Sequence, residues 1–325
     1  MLKQEIEDGQ SSLADPNFRA DVLNGLAASP RAIPARWFYD RRGSELFEAI
    51  TDLPEYYPTR TETALLHRVG PELGALAARN AAVVEFGSGS STKTPILLRA
   101  IEPAAYVPID ISGDFLRQSA RELSQAFPGL PVHPVEADFL RPVPLPVQVE
   151  GLPKLGFFPG STIGNMNAWH AVDLLRAMRE WLGEGARLLI GMDRVKSPDI
   201  LVPAYDDAQG VTAAFNLNLL ERINRELDGT IPVDAFRHRA IWNADAARIE
   251  MHLEAMRDVR FEVEGRPFAM QAGETIHTEN SHKYGPNGGR MLLRAGGWTP
   301  IAEWTDPLDW FALVLCEAQS IRRAP

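Results

Sequence analysis

The run Val84-Glu-Phe-Gly87-Ser-Gly89-Ser-Ser-Thr-Lys93-Thr94 sets two glycines one residue apart between an apolar, strand-like segment and a helix-like one. Glycines at such a turn let the backbone bend tightly and let a ligand approach where a Cβ would stand in the way. A dinucleotide fingerprint requires a third glycine at position 92, and a phosphate-cradling loop requires one directly before its lysine. Residue 92 is threonine, so both patterns fail at the same place. The Glu-x-Gly-x-Gly signature of S-adenosylmethionine (SAM) loops needs no third glycine, and Glu85, Gly87 and Gly89 fit it in full. Two acids follow in register. Asp110 stands 21 residues past Gly89, at the end of the next predicted strand, where a carboxylate can accept from ribose hydroxyls. Such an acid also suits NAD, so Asp110 alone does not separate the cofactors. Asp138 and Phe139 end the third predicted strand, placed for a carboxylate to accept from an adenine amino group and a ring to pack on the base. Loop and acids together point to SAM and to transfer of a methyl group. A bare strand-to-helix turn is the plain alternative.

The elements that must hold these groups alternate. Residues 81–86, 106–110, 131–136, 155–158 and 186–192 read as short buried strands. Helices are predicted between them, from Pro95 to Ala100 and over 113–127 and 168–182. This spacing implies an α/β fold, a Rossmann-like parallel sheet covered on both faces. Ahead of it, residues 61–78 carry Leu65, Leu66, Val69, Leu73 and Leu76 at helical spacing. From residue 197 the alternation stops. Residues 206–227 read as one long helix, 234–236 begin an extended stretch, and 248–256 and 260–268 read as strands. The tail offers a helix piece at 290–293 and a last strand at 311–317. The expected organisation is a cofactor domain of 61–196 and 287–325, with a smaller substrate-binding lobe built from two separate segments, 1–60 and 197–286.

Bulk properties narrow the partners. The chain has 325 residues, 45% of them hydrophobic, enough for one large core or two interlocked ones. A formal charge of −10 argues against nucleic acid, which needs a basic face. The one cysteine, Cys316, allows no intramolecular disulfide and no cysteine-based metal site, and its apolar run reads as a buried strand. The N-terminus lacks the order of a signal peptide, and no apolar run approaches the ~20 residues of a membrane helix. A cytoplasmic, monomeric enzyme with a small-molecule partner, and neither nucleic acid nor membrane, is the expectation.

Longer blocks carry a resemblance. They are Trp37-Phe-Tyr-Asp40, Leu53-Pro-Glu-Tyr56-Tyr-Pro-Thr-Arg-Thr-Glu62, the glycine loop, Phe158-Pro-Gly-Ser-Thr-Ile-Gly-Asn165, and the segments around Tyr205, Met251 and Glu279. In these the chain resembles the histidine-specific N-α-methyltransferases, which make the trimethylated betaine hercynine in the first step of ergothioneine biosynthesis. The similarity runs from about residue 30 to the C-terminus. It implies a SAM-binding sheet and a lobe that closes over free L-histidine. By the same resemblance, Asn165 and Tyr205 hold the substrate carboxylate and Gly160 lies beside the amine. Glu279, with Ser281 and Tyr56, reads the imidazole, and Met251 lines that pocket. Tyr39 sits beside the amine being methylated, and Lys93 belongs to the cofactor loop. Asn280 and His282 depart from the family pattern, which is usually apolar and polar there.

Physical chemistry qualifies these roles. Displacement at a sulfonium methyl needs a neutral amine in line, so positioning does much of the work. With an amine pKa of ~8–9 a proton must leave before each transfer, and Tyr39, near ~10 by reference, suits an acceptor and aligner better than a base. Its ring can also favour a growing ammonium; simple packing beside Trp37 is the alternative. Asn165 ends a Gly-rich loop at the carboxyl edge of the sheet, and Tyr205 is read as opening a helix after Pro203. If residues 277–282 are evenly extended, His277, Glu279 and Ser281 share one face and His282 takes the other, so no metal site is expected. A carboxylate at 279 would reject apolar analogues. The segment 282–289, rich in turn residues, reads as a mobile loop. Another amino acid such as tryptophan as substrate, and a non-catalytic SAM sensor, are the competing readings.

Overall fold

The structure, a computed structural model, describes residues 15–89, 93–139, 141 and 143–320. Ser90, Ser91 and Thr92, on which the exclusion of phosphate-binding patterns rests, lie outside the described residues, as do 1–14 and 321–325. In chain order the first strands are β1 Arg31–Ala32, β2 Ala82–Phe86, β3 Ala105–Asp110, β4 Val135–Glu136, β5 Lys154–Phe158 and β6 Arg187–Asp193. Then come β7 Phe236–Asn243, β8 Arg248–Ala255, β9 Val259–Val263, β10 Arg266–Met270, β11 Thr275–His282, β12 Trp298–Thr305 and β13 Phe311–Ala318.

Seven strands form the main sheet in the order β12-β13-β6-β5-β2-β3-β4. From β6 to β4 all pairings are parallel, whereas β13 runs antiparallel to β6 and to β12. Every residue of β2 is buried, because helices cover both faces and leave no side for water. One core, with Val84, Val107, Phe158 and Leu188, lies under the helix Ala168–Leu182. The other, with Val83, Leu155, Leu189 and Leu313, lies under the helix Tyr57–Leu76. Progress along the sheet reverses between β2 and β5. Ligands of open α/β sheets bind at such a reversal, beyond the carboxyl ends of the strands.

Residues 18–57 and 201–276 supply a third core, around a smaller sheet of order β1-β11-β8-β7. The helix Val211–Glu226 buries Phe215, Leu219, Leu220 and Ile223 against it. This helix starts later than the sequence suggests. Residues 206–210 do not continue it, and Asp207 caps it instead, accepting from the backbone N–H of Thr212 at 2.7 Å and Val211 at 3.0 Å. Tyr205 therefore sits in a turn and opens no helix. The expected single strand over 260–268 is a hairpin, β9 and β10, turning at Glu264-Gly265 where both residues have positive φ. The third main-sheet strand keeps two residues of the six expected, since Pro131 and Pro134 supply no N–H to a ladder. β12 was not foreseen.

Two further departures bear on the site. The ladder between β11 and β8 shifts register between His277 and Glu279, leaving Thr278 as a bulge. His277 then pairs with His252 and Glu279 with Met251. Adjacent ladder positions face opposite ways, so His277 lies on the other face from Glu279 and Ser281. The expected mobile loop over 282–289 is also ordered: His282 ends β11, Lys283 is buried, and Pro286 begins the helix Pro286–Ala295. β11 leans on the Thr162–Asn165 turn of the main sheet, where a Cβ on Gly164 would stand 2.7 Å from the His282 carbonyl oxygen. Gly164→Ala should accordingly lower stability by about 1–3 kcal/mol, the usual cost of overpacking a tight contact, as read from urea unfolding midpoints.

Candidate active site

The crevice beyond β2, β3 and β5 is built by their terminal loops. Gly87 and Gly89 have φ of 73° and 46°, a region that disfavours other residues, and their N–H groups are drawn back toward β3. Gly87 N–H donates to the Ile109 carbonyl at 2.8 Å, and Gly89 N–H donates to Asp110 Oδ2 at 3.0 Å. Asp110 Oδ1 accepts from Ser112 N–H at 2.9 Å. A carboxylate has about four lone-pair sites, so each oxygen keeps capacity for a hydroxyl. Burial pushes the Asp110 carboxyl above its ordinary value despite the backbone bonds. Phe139 packs edge-on against Phe158 at 5.7 Å and lies 3.4 Å from where a Gly87 Cβ would be. Asp138 beside it is within 3.9 Å of Arg36 and 4.0 Å of Arg141. Glu85 of the signature turns inward. Its Oε2 accepts from Thr94 Oγ1 at 2.7 Å and Tyr106 OH at 2.6 Å, and burial pushes its carboxyl up to about 7.

Lys93 faces Glu62, a buried carboxylate of the helix Tyr57–Leu76 that sequence reasoning passed over inside a quoted block. The same Glu62 Oε2 accepts from Gly160 N–H at 2.9 Å. One carboxylate thus ties the loop after β2 to the loop after β5. In the latter, Ser161 takes a positive φ of 58° and its Oγ accepts from Asp193 N–H at 2.9 Å. Asn165 ends the turn with its side-chain amide in no hydrogen bond among the described residues, half-buried and available as a donor.

Opposite stands the smaller sheet. Tyr56 and Tyr205 pack edge-to-face at 6.1 Å, and Tyr39 packs on Phe47 at 5.7 Å and Phe215 at 5.9 Å. Burial, then the charge of Glu279, holds the Tyr39 phenol well above its ordinary value. The charge of Asp110 acts on the same phenol in the same direction. Glu279 keeps part of its surface accessible while protein surrounds it, and burial pushes its carboxyl up to about 7, with the Lys283 ammonium pulling the other way. Met251, its ladder partner, is buried beside it. Ser281 Oγ and Tyr205 OH are 2.7 Å apart. The Tyr205 carbonyl accepts from His238 Nε2 at 2.7 Å, and Asn216 holds the other ring nitrogen at 2.8 Å.

Thus Tyr56, Tyr205 and Ser281 are joined by contact, Glu279 acts on the phenols of Tyr39, Tyr56 and Tyr205, and Asp110, Gly87, Gly89 and Phe139 form a second group. Asn280, His282 and His277 lie on the outer face of β11. There Glu250, His252 and His277 bring ligand-type atoms within 4.8 Å of one another, with His277 directly opposite His252 in the ladder. Glu250 in it is bonded by Asn243, Arg248 and His252, which outweigh burial and hold its carboxyl down at about 2.

The positive-φ glycines, with open space where a Gly89 Cβ would be, and the Asp110 carboxylate with lone pairs to spare fit SAM. The fold and this crevice define a SAM-dependent methyltransferase. A profile described as histidine-specific methyltransferase, SAM-dependent, matches residues 18–318. The histidine N-alpha-methyltransferase of Mycolicibacterium smegmatis is 40% identical over 91% of this chain and 94% of its own length. Ergothioneine biosynthesis protein 1 of Neurospora crassa is 27% identical over 85% of this chain and 32% of its own. A 4-dimethylallyltryptophan N-methyltransferase of Claviceps fusiformis is 25% identical over 93% and 92%. The chain belongs to the family of histidine-specific, SAM-dependent methyltransferases. Among the described residues no helix is long and apolar enough to cross a membrane.

Removing the Asp110 carboxylate should weaken SAM binding at least about tenfold in calorimetry, the loss of one hydrogen bond to a charged group. Asp110→Ala is the variant, and Glu279→Ala should bind SAM as wild type does.

Proposed function

We propose that the chain transfers three methyl groups in succession from SAM to the α-amino nitrogen of free L-histidine, giving hercynine for ergothioneine synthesis in the cytoplasm. The observation that carries this reading is Glu279. It is a carboxylate near three tyrosines and beside a hydroxyl pair, and it suits a ring that offers an N–H where an aliphatic chain offers none. A site built around a buried polar bond rejects analogues lacking the matching group.

SAM supplies a methyl group on a sulfonium; the chain's residues do the rest. Asn165 and Tyr205 hold the substrate carboxylate, and Gly160 leaves room for the amine. Glu279 accepts from the imidazole N–H, with Tyr56, Ser281 and Met251 walling the ring. Gly87, Gly89, Lys93, Asp110, Asp138 and Phe139 hold the cofactor. Tyr39 stays protonated, since burial drives its phenol far from neutral pH. It acts as hydrogen-bond acceptor and aligner of the amine, its ring facing the cation that grows with each transfer. The departing proton goes to water. Much of the catalysis is then orientation, with the ring clamped at one end and the nitrogen aimed at the other.

An amino-acid panel with mass detection tests the reading. Histidine should give mono-, di- and trimethylated products; tryptophan and tyrosine should give none. Methylated tryptophan with inert histidine would overturn it, and SAM binding without any product would make the chain a sensor. The Glu279 carboxyl ionises as pH rises through about 7, so kcat/KM for histidine should gain a rising limb there, beyond the substrate's own ionisations. Glu279→Gln should lose that limb and, above it, at least about tenfold in kcat/KM.

A further inference from the structure

Behind the imidazole end of the pocket lies a buried ammonium that the mechanism above does not use. The Lys283 side chain is wholly buried, and Nζ donates to Asp193 Oδ2 at 2.7 Å, Tyr205 OH at 2.8 Å and Ser281 Oγ at 2.8 Å. An ammonium has three protons, and all three are placed. Asp193 itself ends β6. Its Oδ2 also accepts from Tyr57 OH at 2.7 Å, and Oδ1 accepts from Lys196 at 2.5 Å. Burial alone would raise the Asp193 carboxyl, but Lys283 and Lys196 outweigh it and hold it low. Lys283 and Lys196 together neutralise this carboxylate and hold it in place.

The direction of the next hydrogen bonds follows. Tyr205 OH and Ser281 Oγ both accept from Lys283 and stand 2.7 Å apart, so one of them donates to the other. Two hydroxyl protons minus the one so used leaves a single proton free for a ligand. Lys283 and the mutual bond leave the pair one proton and one lone pair, held beside the Glu279 carboxylate on the same face of β11. With the Tyr205 proton given to the substrate carboxylate, Ser281 donates to Tyr205, and Lys283 keeps both oxygens in register with Glu279.

We propose that Lys283, anchored by Asp193, is a positioning residue that holds the Tyr205 and Ser281 hydroxyls and the Glu279 carboxylate in place for histidine. This rests on the histidine reading of the pocket. The groups that act on Glu279 or feel it are Lys283, Tyr39, Tyr56 and Tyr205; those around Lys283 are Asp193, Lys196, Tyr205, Glu279 and His282. Of these, Lys283 is the cation that opposes the effect of burial on Glu279.

The test compares wild type with Lys283→Met and Lys283→Arg, following KM for histidine, KM for SAM, kcat and the pH profile. Lys283→Met should raise KM for histidine about tenfold or more, as a charge-assisted contact is lost, with KM for SAM unchanged. The rising limb near 7 should move to higher pH, because the cation favouring ionised Glu279 is gone. Lys283→Arg keeps the charge, so its limb should stay in place while KM rises, and it serves alone if the methionine variant fails to fold. An unmoved limb in Lys283→Met, or a wild-type KM for histidine in either variant, overturns the proposal; so does an equal rise in both KM values, the mark of a mere strut. A wild type inert toward histidine instead overturns the reading of the pocket, and this proposal with it.

Discussion

A carboxylate buried at the end of β6 holds the two halves of the site together. Asp193 is fully buried in the main sheet, and its partners come from the helix Tyr57–Leu76, from the segment after β6 and from the residue after β11. Removing one partner of such a group typically costs 3–5 kcal/mol, because an unpaired charge stays behind. Its backbone is engaged as well: Tyr284 N–H donates to the Asp193 carbonyl at 2.8 Å. Ion pairs of this kind contribute little net stability against apolar replacements, but they set register sharply. Here the register that matters is that of β11 against the sheet end where SAM fits.

From this anchor the chemistry can be traced outward. The Thr278 bulge turns Glu279 and Ser281 toward Met251's side of the lobe, and Lys283 donates to Ser281 there. Glu62 does the corresponding task on the near side, joining Lys93 to Gly160. Each loop that the reaction needs is thereby tied to a neighbour through a buried charge, and flexible loops are not asked to aim the reacting groups. Satisfied networks of this sort are rigid, and a half-satisfied one would be costly. For a reaction whose barrier falls mainly by orientation, that rigidity is the useful property.

The main sheet was legible because its cause is local. Runs such as 82–84 and 188–192 carry no polar side chain, and the helices between them have the right length to return the chain to the same edge. The glycine loop and Asp110 were legible for the same reason, since a turn and a strand end fix their places. What escaped depends on pairing between distant segments. A bulge at Thr278 cannot be seen in β11 alone, and without it alternation sends His277 to the wrong face. Residues 282–289 have the composition of a loop, yet Lys283 is buried because Asp193, ninety residues earlier, waits for it. Glu62 looks like any polar residue of an amphipathic helix until Lys93 and Gly160 close on it.

The account comes down to the state of one ring in its pocket. Histidine labelled with nitrogen-15 in the imidazole, bound beside S-adenosylhomocysteine at a pH above 7, reports that state directly by NMR. Two well-separated ring-nitrogen shifts, one of a protonated and one of a bare nitrogen, are expected, since Glu279 accepts from one ring N–H and holds the proton on that nitrogen. Shifts averaged between tautomers as in free histidine, or two protonated nitrogens, would contradict it.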